Sequence, residues 1–331
     1  MSFMSLLEPV LHLLADGKFH SDKEISQSLG IPYKIVSEVL KCILDPSINL
    51  QIVNLRNYRI LGGLELLDAA FIQDELGKSS QLLTQLEVVT IVDSTNNYLL
   101  EKIGQTGNYA VFAEQQTAGR GQFNRQWISS FGKNIYLSLL WYFPRCSNLT
   151  GLTLVIGMAI IRALEKYGLS DIQLKWPNDI VHQGKKLGGI LIESRSHKTT
   201  IHTAVIGIGL NLYYPFSASP AIEQTVTDIY SLQKLPPQRN RLAGLILKNL
   251  LCVLPEFQIK GFAGFTQEWQ RVDSLVDKPI SIQTATHCLE GIARGVNAQG
   301  QLCVDIAKKI YYFSSGEVRV RLKENSQNCY F

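Results

Sequence analysis

The sequence predicts a multidomain α+β protein, and three observations carry the prediction: a helical opening that ends in a β hairpin, a long middle in which strand-like and helix-like runs mix, and a closing stretch of short β runs broken by polar turns. At 331 residues the chain exceeds a typical single domain and can bury a sizeable core. Composition and turn signals place the units at residues 1–63, 64–270 and 271–331.

In the first unit, Leu6, Leu7, Val10, Leu11 and Leu14 recur at helical spacing, with Gly17 just beyond as a stop. Ser21-Asp22-Lys23-Glu24 fits a capping box, Ile25 and Leu29 supply the apolar face behind it, and Gly30 ends that helix. Pro32 suits the first turn of a third helix carrying Ile35, Val36, Val39, Leu40 and Ile43. After Asp45-Pro46, the β-rich runs Leu50–Val53 and Tyr58–Leu61 flank Asn54-Leu55-Arg56-Asn57. Three helices and a hairpin describe a winged helix-turn-helix, its two-helix motif running from about Asp22 to Lys41. Tyr33, Lys34, Ser37, Glu38 and Lys41 fall outward on the third helix, and Arg56 and Arg59 lie in the wing. Six basic and six acidic residues nevertheless leave residues 1–61 neutral, where a DNA-binding module usually shows a basic face.

A helical stretch over about Leu64–Gln81 leads into the middle unit. There Val88–Val92, Tyr109–Ala113, Asn134–Trp141, Ile172–Lys175, Gly189–Glu193 and Thr203–Gly207 read as strands, and Asn96–Ile103, Leu152–Tyr167 and Arg239–Phe257 as helices. Short turns such as Gln183-Gly184 predict a mixed sheet rather than a parallel one. From Asp273 to Lys323, short β runs separated by Asn297-Ala298-Gln299-Gly300 and Ser314-Ser315-Gly316 predict a small β-barrel.

The bulk numbers exclude several classes. With 46% hydrophobic and 18% charged residues the composition is globular, and 32 basic against 28 acidic residues give +4, too mild to declare a nucleic-acid partner. The six cysteines (Cys42, Cys146, Cys252, Cys288, Cys303, Cys329) form no C-x-x-C pair and no Cys/His cluster at metal spacing, which predicts reduced thiols, a cytoplasmic setting and no metal site built from protein ligands alone. No secretion signal is expected at the N-terminus. The apolar run Leu152–Ile161, closed by Arg162 and Glu165, is too short to span a bilayer and reads as a buried helix, so no membrane partner is expected.

The chemistry concentrates in five ordered segments. The first to draw the eye is Gly119-Arg120-Gly121-Gln122-Phe123-Asn124-Arg125-Gln126-Trp127, which puts two guanidinium groups on a glycine-loosened loop between strands. Glycine lets backbone approach a ligand and arginine binds phosphate or carboxylate in a bidentate way, although such a loop alone also fits a solvated turn. The others are Asp93-Ser94-Thr95-Asn96; Lys175-Trp176-Pro177-Asn178-Asp179; Lys185-Lys186-Leu187-Gly188-Gly189-Ile190-Leu191-Ile192-Glu193; and Gly207-Ile208-Gly209-Leu210-Asn211-Leu212. Ser94 and Thr95 stand where they cap a helix or, with Asn96, face a small polar ligand. Lys175 and Asp179 bracket either a structural turn or a reactive one, and Lys186 is either a solvated lysine or, beside Gly188-Gly189, a ligand contact.

Taken in this order, the five segments resemble the biotin protein ligases of the bifunctional bacterial type, in which the ligase also represses biotin synthesis genes. The resemblance runs almost end to end. It implies a central catalytic domain like that of class II aminoacyl-tRNA synthetases and a C-terminal SH3-like barrel. It implies ATP with magnesium, biotin as substrate, and biotinyl-5'-AMP as intermediate and corepressor. A biotin carboxyl carrier protein would be the acceptor, operator DNA a second partner, and a homodimer the assembly. Carried over by motif, Ser94, Thr95, Asn96, Gln116, Gly119, Arg120, Gly121, Gln122, Lys186, Gly189 and Gly207 fall to the biotin site. Arg125, Trp127, Lys175, Asn178 and Asn211 fall to the nucleotide side, with Lys186, Arg120 and Asp179 as the catalytic set. Tyr33, Lys34, Ser37, Lys41 and Arg56 fall to DNA. Two rival readings are a repressor that senses ligand without ligating, and a lipoate ligase, whose characteristic motifs are not those found.

The loop departs from the family where Gln122, Phe123 and Asn124 stand in place of the familiar Arg, Arg and Gly. Losing a cation at 122 predicts either a leakier hold on the activated intermediate or a compensating contact elsewhere. Release of biotinyl-5'-AMP, timed for the native chain and for Gln122→Arg, decides: faster release from the native chain is the first outcome, equal rates the second.

Overall fold

The structure, a computed structural model, describes residues 3–41, 48–144, 148–196, 201–213, 225–284 and 286–323. Ile43, the Asp45-Pro46 break and Cys42, Cys146 and Cys329 lie outside the described residues.

The first unit runs α1 (Phe3–Leu14), β1 (His20–Ser21), α2 (Asp22–Leu29), α3 (Tyr33–Lys41), β2 (Leu50–Val53) and β3 (Asn57–Ile60). The capping box forms as read: the Ser21 hydroxyl accepts from the Glu24 N–H at 3.1 Å and the Glu24 carboxylate accepts from the Ser21 N–H at 2.7 Å. Gly30 closes α2 at φ 65°. The strands add a three-stranded sheet in the order β1-β3-β2. Leu7, Val10, Leu11, Leu14, Ile25, Val36, Val39, Leu40, Tyr58 and Ile60 form the core, and Phe131, from the middle of the chain, is fully buried in the same cluster. The unit therefore packs onto the body instead of hanging from it.

The body follows as α4 (Ala69–Leu76), a 3-10 turn to Leu82, β4 (Gln85–Val92), α5 (Thr95–Leu100), β5 (Tyr109–Gln116), β6 (Ile135–Pro144), α6 (Leu152–Tyr167), β7 (Ile172–Lys175), β8 (Asp179–His182), β9 (Lys185–Ser196), β10 (Ile201–Leu210), α7 (Ile229–Gln233), α8 (Arg239–Lys260) and α9 (Thr266–Val272). Seven strands form one sheet in the order β4-β5-β6-β10-β9-β8-β7, in which only β4 and β5 are parallel. The mixed sheet is the expected one. Several details differ from the sequence reading, which did not mark β1, α7 or α9. The helix expected from Leu64 begins at Ala69, where the Asp68 carboxylate caps it; α5 stops at Leu100 because the chain turns through Lys102 and Gln105; and β8 is a strand that sequence periodicity did not mark.

α6 and α8 cover one face of this sheet and α5 the other. α8 is long and apolar enough to cross a membrane, but 67% of its most apolar window is buried inside the protein, so its apolar residues are core residues. Its N-terminus is tied to the linker from the first unit. The Glu65 carboxylate accepts from the backbone N–H groups of Arg239 at 2.8 Å and Asn240 at 3.0 Å, favourable chemistry for a helix start. The Arg239 guanidinium, 1% exposed, donates to Glu114 at 2.8 Å and to the Asn134 carbonyl at 2.9 Å.

The last unit is a five-stranded antiparallel sheet of β11 (Pro279–Gln283), β12 (Cys288–Val296), β13 (Leu302–Ile306), β14 (Lys309–Phe313) and β15 (Arg319–Leu322), in the order β14-β13-β12-β11-β15. Ile280, Ile282, Leu302, Val304, Val318 and Val320 join the main core. The indole N–H of Trp176 donates to the Gly300 carbonyl at 3.1 Å and the Ser274 N–H to the Leu174 carbonyl at 2.9 Å, so the sheet is docked beside β7.

Arg239→Met leaves the Glu114 carboxylate buried without its cation. The expected cost is about 3–5 kcal/mol, read from urea unfolding, with much of it recovered in the double variant Arg239→Met/Glu114→Leu. A loss under about 1 kcal/mol would show that the pair carries no such weight.

Candidate active site

The site is laid on the α5 face of the sheet, and strand alternation makes its floor. Along β10, Ile206, Ile208 and Leu210 face the core under α6 and α8, which leaves Gly207 and Gly209 on the opposite face. In register, Gly207 lies beside Ser138 and Leu191, and Gly209 beside Gly189, which lies beside Asp179. Three glycines thus leave bare backbone where other residues would fill the groove. The space above them is used. A Cβ on Gly207 would come within 2.3 Å of the Asn96 side-chain oxygen, and one on Gly209 within 2.4 Å of the Trp127 ring.

At one end, the start of α5 gathers polar groups inside the protein. Ser94, Thr95 and Asn96 are all buried, and Ser94 occupies the N-cap without its hydroxyl bonding a helix N–H, which removes capping as its explanation. Gln116 accepts from the Thr95 N–H at 2.9 Å and hydroxyl at 3.0 Å, and its amide donates to Ser129 at 3.1 Å. Asn96 donates to Glu193 at 2.8 Å, while the Ser138 hydroxyl lies 2.6 Å from the Asn96 oxygen and 2.8 Å from the Thr95 hydroxyl. Ser138, Ser129 and Glu193 were not singled out from sequence. Ser138 did leave a signal, the one small polar residue in the run Ile135–Phe143 of large apolar and aromatic residues.

The loop crosses above this floor as a narrow arch. Gly119 and Trp127 are joined by the Trp127 N–H to the Gly119 carbonyl at 2.8 Å, and Gly121 and Arg125 by a bond of 2.7 Å. Gly119 is buried, and a Cβ there would meet the Trp127 carbonyl at 2.5 Å. Gln122 begins a single 3-10 turn, in which Phe123 takes φ 57° and ψ 39°, a left-handed conformation that costs a bulky residue about 1–2 kcal/mol. Arg120 makes a two-pronged pair with Glu193, at 3.1 and 2.7 Å.

At the other end, Lys186 and Asp179 meet at 2.5 Å, and the Lys186 ammonium stands 5.6 Å over the Trp127 ring. Trp127 Nε1 is buried without a hydrogen-bond partner. Lys175 faces Asp179 across the β7–β8 turn. Burial holds the Lys175 ammonium below the ordinary lysine range, Asp179 pulls it back up, and the positive charges of Lys186, Arg321 and Arg125 push it further down. Arg321 comes from β15, a contribution no local motif signalled. The Asn178 amide donates to the Ile190 carbonyl at 2.9 Å and the buried Asn211 amide to the Thr227 carbonyl at 3.2 Å, so both brace the strands that carry the site. Among the described residues no three His, Cys, Asp or Glu side chains gather to hold a metal ion.

The residues expected at DNA share one unit but are unevenly placed. Tyr33, Lys34, Lys41 and Arg56 are exposed, whereas Ser37 is half-buried and donates to the Lys34 carbonyl at 3.0 Å. Arg59 stacks on Phe19 at 4.3 Å and donates to Gln51 at 2.7 Å.

Residues 88–211, which hold the whole floor and arch, match the Biotin/lipoate A/B protein ligase family. The bifunctional ligase/repressor BirA of Escherichia coli is 32% identical over 321 residues, 95% of this chain and 97% of that one. The chain belongs to the biotin protein ligase family. Another member of the family, the biotin--[acetyl-CoA-carboxylase] ligase of Mycobacterium tuberculosis, is 27% identical over 76% of this chain and 95% of its own. Among solved structures of the family, the Aquifex aeolicus biotin protein ligase in complex with biotin and ATP superposes with a TM-score of 0.64 at 28% identity, covering 72% of this chain and all of that one.

The depressed Lys175 ammonium gives a prediction for the pH dependence of anion binding. A lysine held below its usual range loses its charge at lower pH, so affinity for inorganic pyrophosphate is expected to fall as pH rises through that depressed value. Lys175→Arg, which stays charged, should flatten the fall; a profile identical in both proteins excludes Lys175 as the source.

Proposed function

We propose that this chain activates biotin with ATP and transfers it to a lysine of the biotin carboxyl carrier protein of acetyl-CoA carboxylase. One observation carries the reading: a glycine floor with a buried hydrogen-bonding set at one end, a Lys186–Asp179 pair at the other, and a cationic arch between. Ser94, Thr95, Asn96 and Gln116 suit the ureido ring, a rigid group with both donors and acceptors. In the first step a carboxylate oxygen of biotin attacks the α-phosphorus of ATP, the bond to the β-phosphate oxygen breaks, and pyrophosphate leaves. Both reactants are anions, so the step needs fixed cations, which Lys186, Arg120, Arg125 and Lys175 supply. Magnesium would enter on the ATP phosphates and screen the same charge. In the second step the acceptor lysine amine, neutral when it reacts, attacks the acyl carbon and AMP leaves with the bonding pair. In this reading Asp179, beside Lys186, orients that amine and takes its proton.

Arg120 and Lys186 meet the reaction already paired, with Glu193 and Asp179. In this reading the carboxylates hold the cations in position until the substrate anions replace or share them, which keeps the geometry fixed at little reorganisation.

The three units are read as a winged helix-turn-helix (1–63), a catalytic domain of the class II synthetase type (64–270) and an SH3-like barrel (271–331). A repressor role, with biotinyl-5'-AMP as corepressor, rests on the first of these. The E. coli relative matched over 95% of the chain is named ligase/repressor, while relatives matched over 76% and 72% are named only as ligases. A homodimer would match a two-fold operator, and a cytoplasmic location suits both substrates and DNA. The rival readings are separated by the ligand set: a sensor without ligase activity leaves carrier protein unmodified, and a lipoate ligase modifies with lipoate in preference to biotin.

Incubation with biotin, ATP, magnesium and carrier protein is expected to biotinylate the carrier, with Lys186→Ala lowering the rate by roughly 10²- to 10³-fold. Gly207→Ala, which drives a methyl into Asn96, is expected to weaken biotin binding at least about tenfold by calorimetry, the equivalent of one good hydrogen bond. An unmodified carrier refutes the ligase. Electrophoretic shift of operator DNA that strengthens with biotinyl-5'-AMP supports repression, and no shift in either state refutes it.

A further inference from the structure

The last strand presents two arginines to the site. Val318 and Val320 turn into the core, so Arg319 and Arg321 share the outward face of β15. Arg321 is one of the charges acting on Lys175, and the Arg319 guanidinium carbon stands 4.8 Å from the centre of the Phe123 ring, within cation–π range. Phe123 is also the residue at φ 57°, although Gly121 and Asn124 beside it accept that conformation more readily. The arch thus holds an aromatic in an unfavourable backbone conformation, at the point where its side chain reaches another unit. Between Arg120 and Arg125 the arch carries no charge of its own.

We infer that Arg319 is a positioning residue for the arch: by clamping the Phe123 ring from β15 it keeps residues 119–127 closed over the adenylate between the two half-reactions. The inference rests on the adenylating activity proposed above. The clamp acts through a short path. Fixing Phe123 fixes the turn whose ends are joined by the Arg125 N–H to the Gln122 carbonyl at 3.3 Å and the Gly121 N–H to the Arg125 carbonyl at 2.7 Å, and so holds Arg125 on the Lys175 side. It also supplies, from outside the loop, the compensating contact that a neutral residue 122 calls for.

The test uses the full chain in five forms: native, Phe123→Ala, Arg319→Met, the double variant, and Phe123→Tyr, which keeps an aromatic face. Two rates are read. One is trypsin cleavage after Arg120 and Arg125 in the ligand-free protein, followed by mass spectrometry; the other is release of radiolabelled biotinyl-5'-AMP from preloaded enzyme. Each single variant is expected to speed both rates about two- to fivefold, as suits an exposed cation–π contact. The double variant should go no faster than the singles, and Phe123→Tyr should behave as native. Unchanged rates in both singles, or effects that add in the double variant, overturn the clamp. Faster cleavage with unchanged release overturns its role in retention. If the native chain forms no adenylate, the ligase reading fails and retention with it, while the cleavage rates still decide whether the clamp exists.

Discussion

Strand alternation in β9 and β10 is the constraint on which the rest of the structure depends. One face must be apolar enough to bind α6 and α8, and Ile190, Ile206, Ile208 and Leu210 satisfy that demand. The other face must leave room for the Asn96 and Trp127 side chains that line the groove, and Gly189, Gly207 and Gly209 satisfy it by contributing no side chain at all. A one-residue slip in register would exchange the two sets, burying glycines and filling the groove with isoleucine. The site and the core are therefore specified by the same ten residues of β10, and neither can drift without the other.

Electrostatics is arranged on that floor in local pairs. Arg120 rests on Glu193, Lys186 on Asp179, and Arg239 on Glu114. The first two pairs are partly exposed and sit at the groove, where charge can be shared with an incoming anion; the third is buried and serves only to hold the linker and α8 together. Lys175 differs from these. Its ammonium is depressed chiefly by burial, and positive neighbours from the arch, from β9 and from β15 push it further the same way against the pull of Asp179.

Much of this was legible in sequence where the signal is local. The capping box at Ser21 and Glu24, the span of α6 and the turn at Gln183-Gly184 each follow from residues within a few positions of one another, and each forms as read. β8 escaped because Asp179–His182 begins inside a motif already attributed to a turn. Ser94, Thr95, Asn96, Gln116, Arg120, Lys186 and Asp179 were chosen by motif, and the fold gathers them along one groove. Ser138, Glu193, Arg319 and Arg321 escaped because what marks them is a neighbour far along the chain. Glu193 matters through Arg120, 73 residues away, and no window on the sequence contains both.

The same distinction bears on how the first unit communicates with the groove. Phe131 belongs to the core of that unit, yet it follows Ser129, which receives the Gln116 amide, by only two residues. On the neighbouring strand, Glu114 precedes Gln116 by two residues and accepts from the Leu67 N–H at 2.5 Å and from Arg239 at 2.8 Å, tying the linker to β5. Two attachments, one of the first unit and one of its linker, therefore sit close along the chain to Gln116, which bonds Thr95, and to Ser129, which bonds Gln116. The polar end of the groove and the seat of the first unit are thus built on the same two stretches of chain, β5 and the segment after the arch.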